Sequence, residues 1–198
     1  MIVGLTGGIG SGKTWVSSLF KDLGIPVYIS DIEAKKIMHN DVNVKKAIIN
    51  LFGDEAYLED KLNRGLISNK VFKNKSLLNK LNAIVHPAVA AHFDLWYRSK
   101  KSYFVIKESA ILFEMGGENK CDLTILITAP IEERIRRVQL RDNSSVDEIR
   151  ERINNQWSDI KKVPLADYVI SNVLKEETIC RVQEIYKSIV NKKINVKI

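Results

Sequence analysis

Cysteine is scarce in this chain, and so is histidine. Two cysteines and three histidines occur among 198 residues. Cys121 and Cys180 share no metal-ligand spacing with each other or with the histidines, which argues against a zinc site and against a disulfide framework. We therefore expect a protein of a reducing compartment, the cytoplasm.

Long hydrophobic runs are missing as well. No stretch approaches the roughly 20 apolar residues that span a bilayer, and the opening MIVGLTGG reaches glycine too soon for the apolar segment of a secretory signal. The sequence thus predicts no membrane partner. Because 45% of the 198 residues are hydrophobic, one core and a single domain over residues 1–198 are the simplest arrangement.

Acidic residues are outnumbered. The chain has 24 Asp and Glu against 31 Lys and Arg, a formal net charge of +7. Such a balance favours anionic partners, which include nucleotides, nucleic acid and acidic membranes, and it does not choose among them.

Five short runs rich in β-branched and aromatic residues are typical of buried strands. They are IVGLT (2–6), PVYIS (26–30), YFVIK (103–107), LTILIT (123–128) and DYVIS (167–171). Helical patterns lie between them, and strands that alternate with helices pair in parallel through right-handed crossovers. The prediction is an α/β fold with a doubly wound, five-stranded parallel sheet.

Two stretches between the strands predict helical additions. The first, residues 32–100, carries apolar residues at helical spacing and is predicted to be all-helical, with Pro87 kinking or restarting a helix. Its clearest runs are NVKKAIINLF (43–52) and LLNKLNAIVHPAVAAHFDLWY (77–97). This insertion could hold a second substrate or serve as scaffold, and periodicity does not decide. The second, residues 130–156, predicts a charged helical hairpin with its turn at 143–145, a candidate lid.

Glycine is concentrated at the start of the chain. Residues 7–14, GGIGSGKT, match G-x-x-x-x-G-K-[ST] between a predicted strand and a predicted helix, which is the context of a P-loop. Its amides would converge on phosphate oxygens, Lys13 would reach the β- and γ-phosphates, and the Thr14 hydroxyl would bind Mg²⁺. A turn that only joins strand to helix is the less favoured interpretation.

A second short motif invites a different interpretation. NKCD (119–122) matches the N-K-x-D pattern with which GTPases read guanine. Here the tetrapeptide precedes the predicted strand 123–128, whereas nucleotides bind at the carboxyl edge of such sheets. The chain also has no D-x-x-G switch motif. We therefore do not favour a GTPase.

The second predicted strand runs into ISDIEAKK, which places Asp31 at the carboxyl edge of the sheet, beside the P-loop strand. Its carboxylate could accept the proton of a hydroxyl that attacks the γ-phosphate. It could equally be a first-turn acid that favours the helix dipole. Ser30 and Glu33 match a capping box, so the helix does not need Asp31 as its cap.

Other polar residues have two interpretations each. Glu108, after the third strand, could support Mg²⁺ through water or orient a substrate, or be an ordinary loop acid. Arg137 and Arg141 share a helix face with Arg134 and could close over the triphosphate, or form surface ion pairs with nearby acids. His86 is either a buried histidine or a substrate contact.

Taken together, the motifs resemble the dephospho-coenzyme A kinase family in content and order from Ile2 to about Asn172. They are GLTGGIGSGK, SDIEAKKI, VHP, ESAILFE, RIRRVQLRD, RINNQ and ADYVISN. The family transfers the γ-phosphate of ATP to the ribose 3′-hydroxyl of dephospho-coenzyme A, the last step of coenzyme A synthesis. Where the family commonly shows D-A-D, this chain has Ile29, Ser30 and Asp31, so one carboxylate serves alone.

The resemblance implies roles for particular residues. It makes Asp31 the catalytic base, with Lys13, Arg137 and Arg141 also acting on the phosphoryl group. The implied ATP-binding residues are Gly8, Ile9, Gly10, Ser11, Gly12, Lys13, Thr14 and Asn172, the last near adenine. Asp31, His86 and Glu108 would contact the acceptor, which the insertion 32–100 would hold.

We thus expect a monomeric Mg²⁺- and ATP-dependent kinase whose partners are small molecules. Another P-loop small-molecule or nucleoside monophosphate kinase shares every physical feature above. A nucleic-acid-dependent ATPase would use the net charge of +7 differently. No nucleic-acid-binding motif is recognisable, so we expect no nucleic acid partner.

Overall fold

A computed structural model describes residues 1–72 and 74–195. The strands of this part are β1 (Ile2–Gly7), β2 (Val27–Ile29), β3 (Tyr57–Leu58), β4 (Lys61–Leu62), β5 (Val105–Glu108), β6 (Leu123–Thr128) and β7 (Tyr168–Ser171). Its α-helices are α1 (Lys13–Asp22), α2 (Ser30–Asn40), α3 (Val42–Phe52), α4 (Arg64–Phe72), α5 (Lys75–Arg98), α6 (Ile131–Asp142), α7 (Val146–Asn154), α8 (Asp159–Lys162) and α9 (Lys175–Asn195).

Five strands form one sheet in the order β2-β5-β1-β6-β7, and β1 pairs in parallel with both β5 and β6. The doubly wound parallel α/β architecture is therefore confirmed. One detail is wrong: β2 was expected beside β1, but β5 lies between them. The chain returns to the sheet through β5 only after 75 residues, and local patterns do not indicate between which strands β5 lies.

The chain divides into two compact units, Met1–Tyr28 with Lys101–Ile198, and Ile29–Lys100. We call them the sheet unit and the helical unit. In the sheet unit, alternate residues of β1 and β6 pack against α1 and α9, as the pleat of a strand requires. The fully buried members of this core include Val3, Leu5, Val16, Phe20, Phe104, Ile106, Ile125, Ile127, Ile170 and Ile189.

The helical unit has a core of its own, built from α2 to α5. It is not all-helical, because β3 and β4 form a short antiparallel hairpin. Glu59 and Asp60 make its turn with positive φ angles of 46° and 64°. This sequence is not one of the glycine-containing pairs that signal such turns, so the hairpin went unpredicted.

Pro87 was expected to kink or restart a helix, and the restart is wrong: helix α5 continues from Lys75 to Arg98 through Pro87. Proline removes one hydrogen bond to the preceding turn, which does not end this helix of 24 residues. The capping box expected at Ser30 is also wrong. Ser30 does not cap α2: the helix starts at Ser30 itself, Ile29 is the N-cap residue, and Glu33 pairs with Lys36 at 2.8 Å.

The hairpin predicted at 130–156 is present. Helices α6 and α7 are joined at residues 143–145, where Asn143 adopts a left-handed conformation with φ of 53°. Ser145 and Glu148 form a reciprocal capping box at the start of α7. Ile135, Val138 and Ile149 make a small buried core between the helices. No helix within the described ranges is long and apolar enough to cross a bilayer.

The two cysteines are expected to differ in reactivity. Burial raises the pKa of the Cys121 thiol to about 11, while Cys180 is exposed on α9. Because the thiolate is the reactive form, iodoacetamide at pH 8 should alkylate Cys180 and spare Cys121 in the folded protein. Mass spectrometry of the tryptic peptides measures this, and alkylation in urea, where both thiols should react, is the control. Equal labelling of the two in the folded protein would contradict the burial of Cys121.

Candidate active site

The P-loop follows the carboxyl end of β1 and leads into α1. Gly12 is the N-cap residue of α1, and the Ser11 N–H donates to the Gly8 carbonyl at 3.1 Å. Lys13 and Thr14 open the helix, where backbone N–H groups have no intrahelical acceptor and the dipole is positive. The arrangement is suited to an anion.

Lys13 reaches back over this loop. Its ammonium donates to the carbonyls of Gly7 at 2.7 Å and Gly8 at 3.3 Å. Thr14 is exposed on the first turn of α1. The ammonium thus adds positive charge beside the start of α1.

Asn172 holds the loop from the side of β7. Its backbone N–H donates to the Thr128 carbonyl at 2.8 Å, and its buried side-chain amide donates to the Ser11 carbonyl at 2.8 Å. Gly12 has φ of 94°, and a Cβ at this position would overlap the Asn172 amide nitrogen. The close approach therefore requires glycine at position 12.

Helix α6 binds an earlier part of the loop, at Ile9, whereas Asn172 binds it at Ser11. The buried Arg134 donates from Nε to the Ile9 carbonyl at 2.8 Å, and its guanidinium pairs with Asp159 at 3.5 Å. Burial lowers the pKa of Arg134 and the Asp159 charge opposes that shift. Arg137 donates to the carbonyls of Asn172 at 3.0 Å and Ser11 at 3.4 Å.

Arg141 occupies a different environment. It is exposed near the turn of the hairpin and donates to both carboxylate oxygens of Asp142, at 2.6 and 2.8 Å. Arg152 of α7 binds the same carboxylate at 3.1 Å. The two arginines hold the pKa of Asp142 well below its usual range. Of the two arginines predicted to line a lid, Arg137 contacts the P-loop and also pairs with Glu133 at 2.8 Å, whereas Arg141 lies in this ion-pair cluster.

Glu108 ends β5, the strand next to β1, in register with Leu5. Its residue is only 4% exposed, and the following Ser109 N–H donates to the Leu5 carbonyl at 3.0 Å. A carboxylate is thus held at the carboxyl edge of the strand that neighbours the P-loop strand. This is the position that the sequence had suggested for Asp31.

Asp31 and His86 lie in the helical unit. Asp31 is exposed in the first turn of α2, two residues after the end of β2. His86 is partly buried in α5, and burial lowers its pKa, which favours the neutral imidazole at pH 7. Asp31 belongs to the helical unit and the P-loop to the sheet unit, so a contact between Asp31 and bound phosphate stays a prediction.

NKCD has a structural role at the other edge of the sheet. The Asp122 carboxylate accepts the Ile2 N–H, at the start of β1, over 2.6 Å. The segment precedes β6, as expected, and so lies away from the carboxyl edge. This contact agrees with setting the guanine-binding interpretation aside.

Gln156 is the site residue that sequence reasoning overlooked. It follows α7, and its Oε1 accepts the Ile9 N–H at 2.8 Å. The sequence pattern places Arg134 only on an arginine-rich helix face, and the family resemblance places Asn172 only near adenine. A signal existed in the RINNQ segment, but nothing local indicates that residue 156 meets residue 9.

Known proteins are similar to this chain in sequence and in fold. A sequence model described as dephospho-CoA kinase matches residues 1–177. The dephospho-CoA kinase of Bacteroides fragilis is 41% identical over 171 residues, covering 86% of this chain and 83% of the relative. A crystal structure of a Thermus thermophilus protein, 32% identical, superposes with a TM-score of 0.88 over 95% of this chain and 96% of that one.

A more distant structure shows the same fold. The dephospho-CoA kinase of Campylobacter jejuni is 24% identical and superposes with a TM-score of 0.70, covering 97% of this chain and 98% of that chain. The chain belongs to the dephospho-CoA kinase family, which is a family of ATP-using kinases.

Proposed function

We propose that this protein phosphorylates the ribose 3′-hydroxyl of dephospho-coenzyme A with ATP, giving coenzyme A and ADP. The observation that carries the proposal is the P-loop, whose backbone is held on both sides by Asn172 and Arg134 within a chain of this family. A loop held in this way presents its donors to phosphate without reordering. Preorganised donors stabilise charge more than donors that must first be ordered.

The nucleotide would bind through the first turn of α1. Its phosphates would accept hydrogen bonds from the amides of Gly10, Gly12 and Thr14, and Lys13 would move from the carbonyls of Gly7 and Gly8 to the β- and γ-phosphates. Asn172 would keep its contact with Ser11 while the chain that follows it lies near adenine.

Mg²⁺ fits the residues that are present. The described part of the chain holds no group of three or more histidine, cysteine, aspartate or glutamate side chains that could form a protein cage for a metal. Mg²⁺ is commonly held by one or two protein groups, water and substrate phosphates, so the exposed Thr14 hydroxyl is a suitable protein ligand. When bound, the ion would neutralise charge that develops on the phosphates.

Chemistry would then require one proton acceptor. Asp31 takes the proton of the 3′-hydroxyl as that oxygen forms its bond to the γ-phosphorus, and the bond from phosphorus to the ADP oxygen breaks. Glu108, at the end of β5, orients the acceptor from the neighbouring strand. His86, neutral at pH 7, contributes hydrogen bonding to the acceptor rather than charge.

The hairpin formed by α6 and α7 would supply cations. Arg137 already lies beside Ser11 and Asn172, and its charge, which now pairs with Glu133 at 2.8 Å, would turn toward the transferring group. Arg141 would have to exchange Asp142 for phosphate as the hairpin closes. Both guanidinium groups spread positive charge where negative charge develops.

An acceptor panel tests the proposal. The protein, with ATP and Mg²⁺, is incubated with dephospho-coenzyme A, with nucleoside monophosphates or with no acceptor, and the products are separated by chromatography. We expect coenzyme A and ADP in equal amounts with the first acceptor only. Phosphorylation of a monophosphate instead, or ATP hydrolysis stimulated by RNA or DNA, would favour one of the alternative functions. A folded protein that forms no coenzyme A would refute the proposal.

A further inference from the structure

Ile9 is the point at which the P-loop meets the helical hairpin. Its side chain packs on the small core of Ile135, Val138 and Ile149, which lies between α6 and α7. Its carbonyl accepts from Arg134 of α6 at 2.8 Å, and its N–H donates to Gln156, just beyond α7, also at 2.8 Å. One loop residue is therefore held through its side chain and both of its backbone polar groups.

Gln156 is itself held in place. Its Nε2 donates to the Ala110 carbonyl at 3.5 Å, a long contact, and its backbone N–H donates to the Ile153 carbonyl at 3.0 Å. The next residue, Trp157, donates its N–H to the Glu114 carboxylate at 3.0 Å. Glu114 also pairs with the fully buried Lys162 at 2.7 Å. Residues 156–162 are thus fastened to the segment that follows β5.

These contacts determine where neighbouring amides point. In a trans peptide the carbonyl and the N–H of the next residue point in opposite directions. Arg134 draws the Ile9 carbonyl to one side, so the Gly10 N–H is directed to the other. The same reasoning applies to the Ser11 carbonyl, which Asn172 and Arg137 bind, and to the Gly12 N–H.

The peptide between Gly8 and Ile9 has the reverse orientation. The Gly8 carbonyl accepts from Ser11 and from Lys13, within the loop, while the Ile9 N–H is directed out to Gln156. Gln156 therefore directs the Ile9 N–H away from the loop amides that would bind phosphate. It also keeps the Gly8 carbonyl available to restrain Lys13.

We propose that Gln156 is a positioning residue for the nucleotide: by accepting the Ile9 N–H it fixes the peptide between Gly8 and Ile9. This peptide directly precedes the one whose Gly10 N–H Arg134 aims at phosphate, so the loop is ordered before phosphate arrives. Without Gln156, the loop must be ordered during binding, and that cost reduces affinity. The inference deepens the proposed function in its nucleotide half and does not depend on the identity of the acceptor.

The test compares Gln156→Met, which keeps the length of the side chain and loses both hydrogen bonds, with Asn155→Ala at the exposed neighbouring position. Calorimetry with ADP and Mg²⁺ should show a dissociation constant raised about tenfold in Gln156→Met and unchanged in Asn155→Ala, as expected for loss of one hydrogen bond to a partly buried amide. With an active enzyme, the KM for ATP should rise similarly while kcat at saturating ATP stays within about threefold.

Hydrogen exchange supplies the readout that a general structural defect would not reproduce. In Gln156→Met the Ile9 amide should exchange faster, while amides in the strand β6 keep their protection. Unchanged ADP affinity, or unchanged exchange at Ile9, would overturn the proposal. So would a parallel fall in thermal stability, kcat and affinity, which indicates only a damaged fold. If the wild-type protein makes no coenzyme A, the proposed function fails, and the ADP comparison still decides the role of Gln156.

Discussion

Replacing Asp31 with asparagine should lower kcat by about 10²- to 10⁴-fold, the range expected for loss of a general base. Asparagine keeps the size and polarity of the side chain but cannot take a proton from the acceptor hydroxyl. ATP should still bind, because the P-loop contacts lie in the sheet unit, whereas Asp31 belongs to the helical unit. Steady-state kinetics with dephospho-coenzyme A and calorimetry with ADP measure the two effects separately.

Glu33→Gln is the matched control. Glu33 lies in the same first turn of α2 and pairs with Lys36. If Asp31 served only the helix dipole, both substitutions would change stability by a few tenths of a kcal/mol and leave turnover alone. The proposed mechanism requires instead that Asp31→Asn abolish most turnover and Glu33→Gln little of it. Near-normal kcat in Asp31→Asn would show that another group accepts the proton.

The sheet could be predicted from local sequence because each strand is a short apolar run bounded by helical patterns. Strand order could not, since β5 enters between β1 and β2 only after the helical unit has been completed. That order moves Glu108, rather than Asp31, to the strand beside the P-loop strand. A local pattern identifies the edge at which a side chain lies, whereas its neighbours across the sheet depend on long-range pairing.

The P-loop could be predicted because its residues are contiguous, whereas the residues that support it are far away in the sequence. Its glycines, Lys13 and Thr14 are contiguous, so the chemistry can be read from eight residues. Gln156, by contrast, is 147 residues from its partner Ile9, and Asn172 is 161 residues from Ser11. Supports of this kind leave no periodicity, and each is a single polar residue in an ordinary polar segment. The family resemblance pointed to their segments without revealing the contacts.

Gly12→Ala should weaken ADP binding by at least about 100-fold. Alanine at φ of 94° is strained, and its Cβ would occupy the place of the Asn172 amide nitrogen. Displacing that amide breaks the hydrogen bond to the Ser11 carbonyl, which aims the Gly12 N–H at phosphate. A lost hydrogen bond at a buried group costs about 1–3 kcal/mol, and the strain adds to it. Calorimetry with ADP and Mg²⁺ measures the change.

Gly24→Ala is the control that separates backbone strain at a positive φ angle from steric overlap with a neighbouring side chain. Gly24 lies just beyond the other end of α1 with φ of 79°, and a Cβ there meets no atom within 4 Å. It should therefore lose about 1–2 kcal/mol of folding stability, the strain of a left-handed residue, and keep its affinity for ADP. If both variants bound ADP equally well, the approach of Asn172 to Gly12 would have no part in nucleotide binding. If only Gly12→Ala lost binding, glycine at position 12 would be required by the neighbouring side chain as well as by its own backbone angle.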